Sequence, residues 1–534
     1  MRRGLGLTGG RGLLVAVAAL GLAGFTPNEA NTNAKGDPRV SEIPVQSAAE
    51  WQSITRKNLF AMKQLLEAHT PIPLTGGDAA QEAWLTAGYQ EALALIPQVR
   101  DELGLLYVLR RYALGFDDIH LDVRQAGASP INRWPGFVAA RQGGETVVSW
   151  RQRPPLAGEP PVGARIISCD GAPIETLIEE RLFRFWRARG FSTGYLQATT
   201  RLFFDNANGF FAPPSVCHMQ WDGADHTVRL HWRDVDYGTD DFQTAYQTAS
   251  GDTPAEWGIT TPAPGVTWIG VPSFMDDVTQ AVPFELVEII NQLREEGAAY
   301  RAGRAVVVDL RGNGGGLRSA STDLAEAVFG VDGARRAQRI YVSASWVTRI
   351  SDDNVSDIMS GTVAAVEGPR PEGAPAQSAR TIGWIYRGAL RSNQESLVLG
   401  SPPRADAGGL TARRIGQPPQ PAPDGARIYV LVNETCLSAC LWFMDVAAFM
   451  PGVTLIGDVS GADGALTWAR VADLPEAGMT LTTPMMELRG YARSPGEFYT
   501  PDIAYPGLWD DEAVRAWVLG LIDAERPLPA PASP

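Results

Sequence analysis

"VVVDLRGNGGGLRSA", from Val306 to Ala320, sets a near-continuous apolar run directly ahead of Gly312, Gly314, Gly315 and Gly316. A short run of this kind reads as a strand buried on both faces. Glycines just after such a strand let backbone N–H groups point into a cavity with no side chain in the way. A phosphate loop would need the order GxxxxGK followed by Ser or Thr, and no lysine follows here. An oxyanion hole, which needs the same geometry for a different anion, and a plain tight turn both remain open.

Working outward, "IYVLVN" (428–433) and "VTLIGD" (453–458) are runs of the same type. "GVTWIGV" leads into "VPFELVEIINQLREEG", whose Phe284, Val287, Ile290 and Leu293 recur at helical spacing, with Gly297 expected to stop the helix. Strands alternating with helices predict an α/β core over residues 260–520. Between its buried strands lies an insertion, 331–427. Its Pro- and Gly-rich parts, "EGPRPEGAPAQ" and "SPPRADAGGLTARRIGQPPQPAPDG", are predicted to be mobile. Upstream, 130–235 carries short β-rich runs such as "ETVVSW" and "ARIISCDG", and 46–125 carries three stretches with apolar residues every three or four positions, the mark of a small helical bundle. Residues 521–534 form a Pro-rich tail.

At the start, Arg2, Arg3 and Arg11 precede an apolar run from Leu13 to Phe25, which predicts a signal peptide over 1–30 and a linker over 31–45. No later stretch reaches the roughly 18 uninterrupted apolar residues of a membrane span, so export without stable membrane insertion is expected. The net charge of −14 and pI near 5.0 argue against a nucleic-acid partner. Nothing in the composition sets an oligomeric state.

"NETCLSACLWF" (433–443) follows the second buried strand. Ser438 there is either a helix N-cap or a nucleophile presented by a strand–turn–helix. In the second case the Ala439 amide would lie beside the attacked carbonyl. Cys436 and Cys440 flank the serine, either as small buried residues or as a disulfide bracing its turn. With no histidine near either thiol, no metal site is expected.

"DLRGNGGG" followed at a distance by "TCLSAC" resembles the tail-specific, or C-terminal processing, serine protease family. "FDDIHLDV" (116–123) looks like that family's D-G-H-T stretch and "VGARIISCDGAPIETL" like the second half of its PDZ-like domain. "TWIGVPSFM" looks like its first core strand and "GEFYTPDIAYP" like its closing segment. The resemblance implies a crotonase-like (ClpP-like) α/β core, a PDZ-like β domain at 130–235 and an N-terminal helical domain at 46–125. It implies peptide or protein substrates, an acyl-enzyme on Ser438 and no cofactor. Many members pair the serine with a downstream lysine, but Lys35, Lys57 and Lys63 are the only lysines here. The tricorn-type branch, with Ser, His and Glu, is therefore the closer match. It assigns His120 as base although Leu121 replaces the usual threonine, and Glu497 as the orienting carboxylate, with Glu487 in reserve. Ala439, Gly315 and Gly316 would supply the oxyanion hole. A catalytically inactive peptide-binding protein on the same fold is the alternative.

Overall fold

The computed structural model describes residues 46–125, 133–186, 194–235, 240–276, 281–341, 344–367, 369, 377–400, 426–491 and 493–524. The expected signal peptide, linker and most of the Pro-rich tail lie outside these, as do most residues of the two Pro- and Gly-rich parts of the insertion.

The core is a six-stranded sheet of β1 (Gly258–Ala263), β2 (Val266–Gly270), β3 (Ala305–Asp309), β4 (Arg427–Val432), β5 (Val453–Gly457) and β6 (Ile503–Ala504), in that spatial order. β1 is antiparallel to β2, and every later pairing is parallel. Side chains alternate between two covered faces. Val306, Val308, Val430 and Val432 pack under the helices Phe284–Arg301, Arg318–Phe329 and Ala439–Ala447. Val307, Tyr429 and Leu431 pack under Val514 and Val518 of the terminal helix Asp511–Ala524. Because both faces are covered, these strands read as unbroken apolar runs. The helix expected to stop at Gly297 continues to Arg301. Gly297 is buried and an added Cβ would meet the Arg301 guanidinium at 3.0 Å, so it serves close packing inside the helix.

A second sheet is built around one long strand, Met479–Arg489. It pairs antiparallel with Asp122–Gln125, with Leu466–Asp473 and with Ser345–Arg349, the last of which pairs with Ser396–Gly400. Part of the insertion is thus ordered sheet. The N-terminal helices Ala48–His69 and Glu102–Leu114 lay Leu59, Met62, Leu105 and Leu109 on Leu466, Met479 and Leu481 of this sheet, so they are no free-standing bundle.

The third sheet runs antiparallel through Phe137–Gln142, Glu145–Arg151, Arg165–Cys169, Val216–Trp221 and Ala224–Arg229. Cys169 and Cys217, cross-strand neighbours here, form a disulfide.

Candidate active site

Ser438 stands at the N-cap of the helix Ala439–Ala447 with φ 50° and ψ −116°, and its side chain makes no cap hydrogen bond. A serine there for capping would have extended backbone and would accept from the next turn's amides. This one is held in a conformation that non-glycine residues avoid, and its side chain is not used by the helix. The disulfide Cys436–Cys440 closes over it, with the two Cα atoms 5.3 Å apart.

The turn ahead of it is fully wired. Asn433 Oδ1 accepts from the Thr435 amide, Thr435 Oγ1 accepts from Gly312 N at 2.9 Å, and Leu437 N donates to Asn313 O at 3.3 Å. Glu434 is completely buried and its carboxylate accepts from Leu196 N and Gln197 N at 3.1 and 2.9 Å, the start of the helix Tyr195–Leu202. On the glycine side Asp309 and Arg311, both buried, pair at 2.7 Å and brace the loop's entry.

Gly315 lies against the serine. A Cβ added to it would fall 2.7 Å from Ser438 Cβ and 2.9 Å from Ala439 N. Gly316, at φ 123°, faces Met275 in the same way. The Gly315 amide, expected to point at an oxyanion, donates instead to Asn313 Oδ1 at 3.0 Å. Its place in the turn follows from the absence of a side chain.

His120 is buried, and its Nδ1 lies 2.9 Å from Asp118 Oδ1, which also accepts the His120 amide. Asp118 is fully buried and its other oxygen accepts from Leu466 N at 3.1 Å. Burial acts to lower the imidazole pKa, but the hydrogen bond and charge of Asp118, with the charge of Asp463, outweigh it and hold the pKa above the ordinary value. The His120 Nδ1 contact expected of Glu497 is thus seen with Asp118, and Glu497 accepts the Ser494 amide at 2.7 Å. Glu487 is taken by Arg489 at 2.7 Å on the second sheet.

One buried cluster gathers the chain neighbours of all three expected residues. Leu437 (beside Ser438) and Ile119 (beside His120) pack with Leu114 and Ala462, and Phe498 (beside Glu497) packs against them. Three of the other histidines are engaged elsewhere: His69 meets Ser351, His218 meets Thr227 and His226 stacks on Trp221. Lys57 pairs with Glu476 and Lys63 with Glu67, so neither is available to a serine. Among the described residues no group of His, Cys, Asp and Glu is arranged to hold a metal, and no helix is long and apolar enough to cross a membrane.

Asp118 was legible only as one of two adjacent aspartates in "FDDIH"; its spacing two residues before the histidine is the signal that sequence reading passed over.

Residues 265–504 match the model of peptidase family S41. No curated protein matches the chain. Among solved structures it resembles mature CPAF complexed with lactacystin, at 17% identity and a TM-score of 0.53 over 89% of this chain and 100% of that one. A second structure of mature CPAF gives 16% identity and 0.53 over 89% and 99%. The photosystem II D1 C-terminal processing protease covers 86% of this chain at 14% identity, with a TM-score of only 0.28.

Proposed function

From a chain that belongs to peptidase family S41 through residues 265–504, and is on that ground a serine-type peptidase, we propose an exported endopeptidase working through an acyl-enzyme on Ser438. Ser438 Oγ attacks the peptide carbonyl carbon as His120 takes its proton; the same imidazolium then protonates the leaving amine. Water, deprotonated by His120, hydrolyses the ester and restores the serine. Asp118 holds the imidazole by Nδ1 and stabilises its charged form, the part that sequence reasoning gave to Glu497. The amides of Ala439 and Gly316 receive the oxyanion at the positive end of the helix Ala439–Ala447, an arrangement worth a few kcal/mol per donor.

The crotonase-like description of the core and the PDZ-like description of the third sheet belong to this proposal, as does a periplasmic or extracellular location. The observation that carries the reading is the strained, uncapped Ser438 packed against Gly315. Its test is labelling with a fluorophosphonate followed by peptide mapping. The adduct should fall on Ser438, and Ser438→Ala should lose both labelling and peptide hydrolysis. Turnover surviving in that variant would sink the assignment.

A further inference from the structure

Arg318 opens the helix that follows the glycine turn, two residues after Gly316, and Trp442 lies one helical turn beyond Ser438. Long helical side chains lean toward the N-terminus of their helix, so a residue at 442 covers the turn that presents the serine. The Arg318 Cζ lies 3.5 Å from the centroid of the Trp442 ring and 5.3 Å from that of Trp346. Trp346, contributed by the insertion, stacks on Trp442 at 5.8 Å, and Tyr491 approaches Trp442 at 4.8 Å.

Stacking occupies the face of a guanidinium and leaves its N–H edge for a planar anion. Elsewhere in this chain such an edge is filled. Arg111 on Trp84 also holds Glu91, Arg233 on Trp134 holds Glu159, and Arg493 on Tyr491 holds Asp445. The same is true of Arg141, Arg184 and Arg515. Among the described residues Arg318 is the one ring-stacked arginine with no carboxylate in ion-pair range. The acid whose charge reaches it, Asp445, is bonded to Arg493, Tyr491 and Tyr499. Burial lowers the Arg318 pKa, as expected of a cation that has lost water without gaining a partner.

We propose that Arg318 and Trp442 form a substrate subsite beside Ser438 that receives a carboxylate, supplied by an Asp or Glu side chain near the scissile bond or by the peptide's own C-terminus. The subsite rests on the reading of Ser438 as nucleophile. A carboxylate arriving there completes a charge-assisted pair in a partly dehydrated place, where such contacts are strongest.

The experiment profiles cleavage of a mixed peptide library by mass spectrometry, then measures kcat/KM on matched pairs: Glu against Gln at the selected position, and free against amidated C-termini. The intact chain should favour one acidic member roughly tenfold or more, and whichever pair shows the preference identifies the source of the carboxylate. Arg318→Gln should bring that ratio close to one while Ser438 still takes the fluorophosphonate; Arg318→Lys should keep part of it. Equal rates on both pairs in the intact chain, or a preference unchanged in Arg318→Gln, would overturn the subsite. Failure of the intact chain to label at Ser438 strikes the nucleophile reading instead, and the two failures are told apart by that labelling.

Discussion

At Ser438 the backbone is held at φ 50° and ψ −116°, a region that costs a non-glycine residue about 1–3 kcal/mol. Glycine is at home there, so Ser438→Gly should be more stable than Ser438→Ala by about 1 kcal/mol, with both inactive; equal denaturation midpoints would show that the strain is not held in the folded protein. Gly315→Ala is the complementary change. Its methyl would lie 2.7 Å from Ser438 Cβ at φ 108°, and peptide hydrolysis should fall at least roughly a hundredfold. At His120 the raised pKa sets the sign of the pH response. As the proposed base it would work unprotonated, so the acid limb of kcat/KM should sit above the free-imidazole value of about 6.5. In Asp118→Asn burial is no longer outweighed, so the limb should move to lower pH while the plateau rate drops by orders of magnitude. Glu497→Gln should leave the limb where it is; a shift there with none in Asp118→Asn would return the orienting role to Glu497.

The elements around the site differ in how far sequence could describe them. β3 and β4 announce themselves because burial on both faces leaves charged residues only at their ends, Asp309 and Arg427, and the glycines and serine that follow them stand out against that background. Asp118 was hidden because its partner is two residues away and its second bond, to Leu466 N, depends on a strand more than three hundred residues downstream. The disulfide Cys169–Cys217 was hidden for a similar reason, since only the register of two strands puts those residues opposite each other. Ser345–Arg349 and Ser396–Gly400 were lost in the Pro- and Gly-rich setting of the insertion, being too short to show a period. Cys436–Cys440 makes a prediction at this scale. A loop this short stabilises by about 2 kcal/mol at most through chain entropy, so its effect falls on the shape of the turn. Replacing both cysteines with alanine should slow Ser438 labelling about tenfold and lower the thermal midpoint by only a few degrees. A large fall in midpoint with normal labelling would make the bridge a staple of the fold.

Across the whole molecule the site is assembled from separated stretches of chain. The proposed nucleophile, Ser438, follows a strand of the core sheet, the proposed base, His120, lies in the turn that ends the N-terminal helices, and the stacked Trp346 comes from the insertion. The strand Met479–Arg489 links the last two along one edge, pairing with Asp122–Gln125 at its start and with Ser345–Arg349 at its end, while Leu466–Asp473 occupies its other edge. Helical and sheet regions were readable one by one, but their joining was not, because antiparallel pairing across such distances leaves no local trace.

That strand also orders events in time. A ribosome delivers His120 early and Ser438 late, yet Asp118 is fixed by Leu466, and the strand after His120 finds its partner only in residues 479–482. While those residues are still unmade, the chain carries Asp118, His120 and Ser438 without the frame that aligns them. On the proposed reading, a copy that stops short of those residues should be a harmless polypeptide, the capacity to cut others arriving only once they are made.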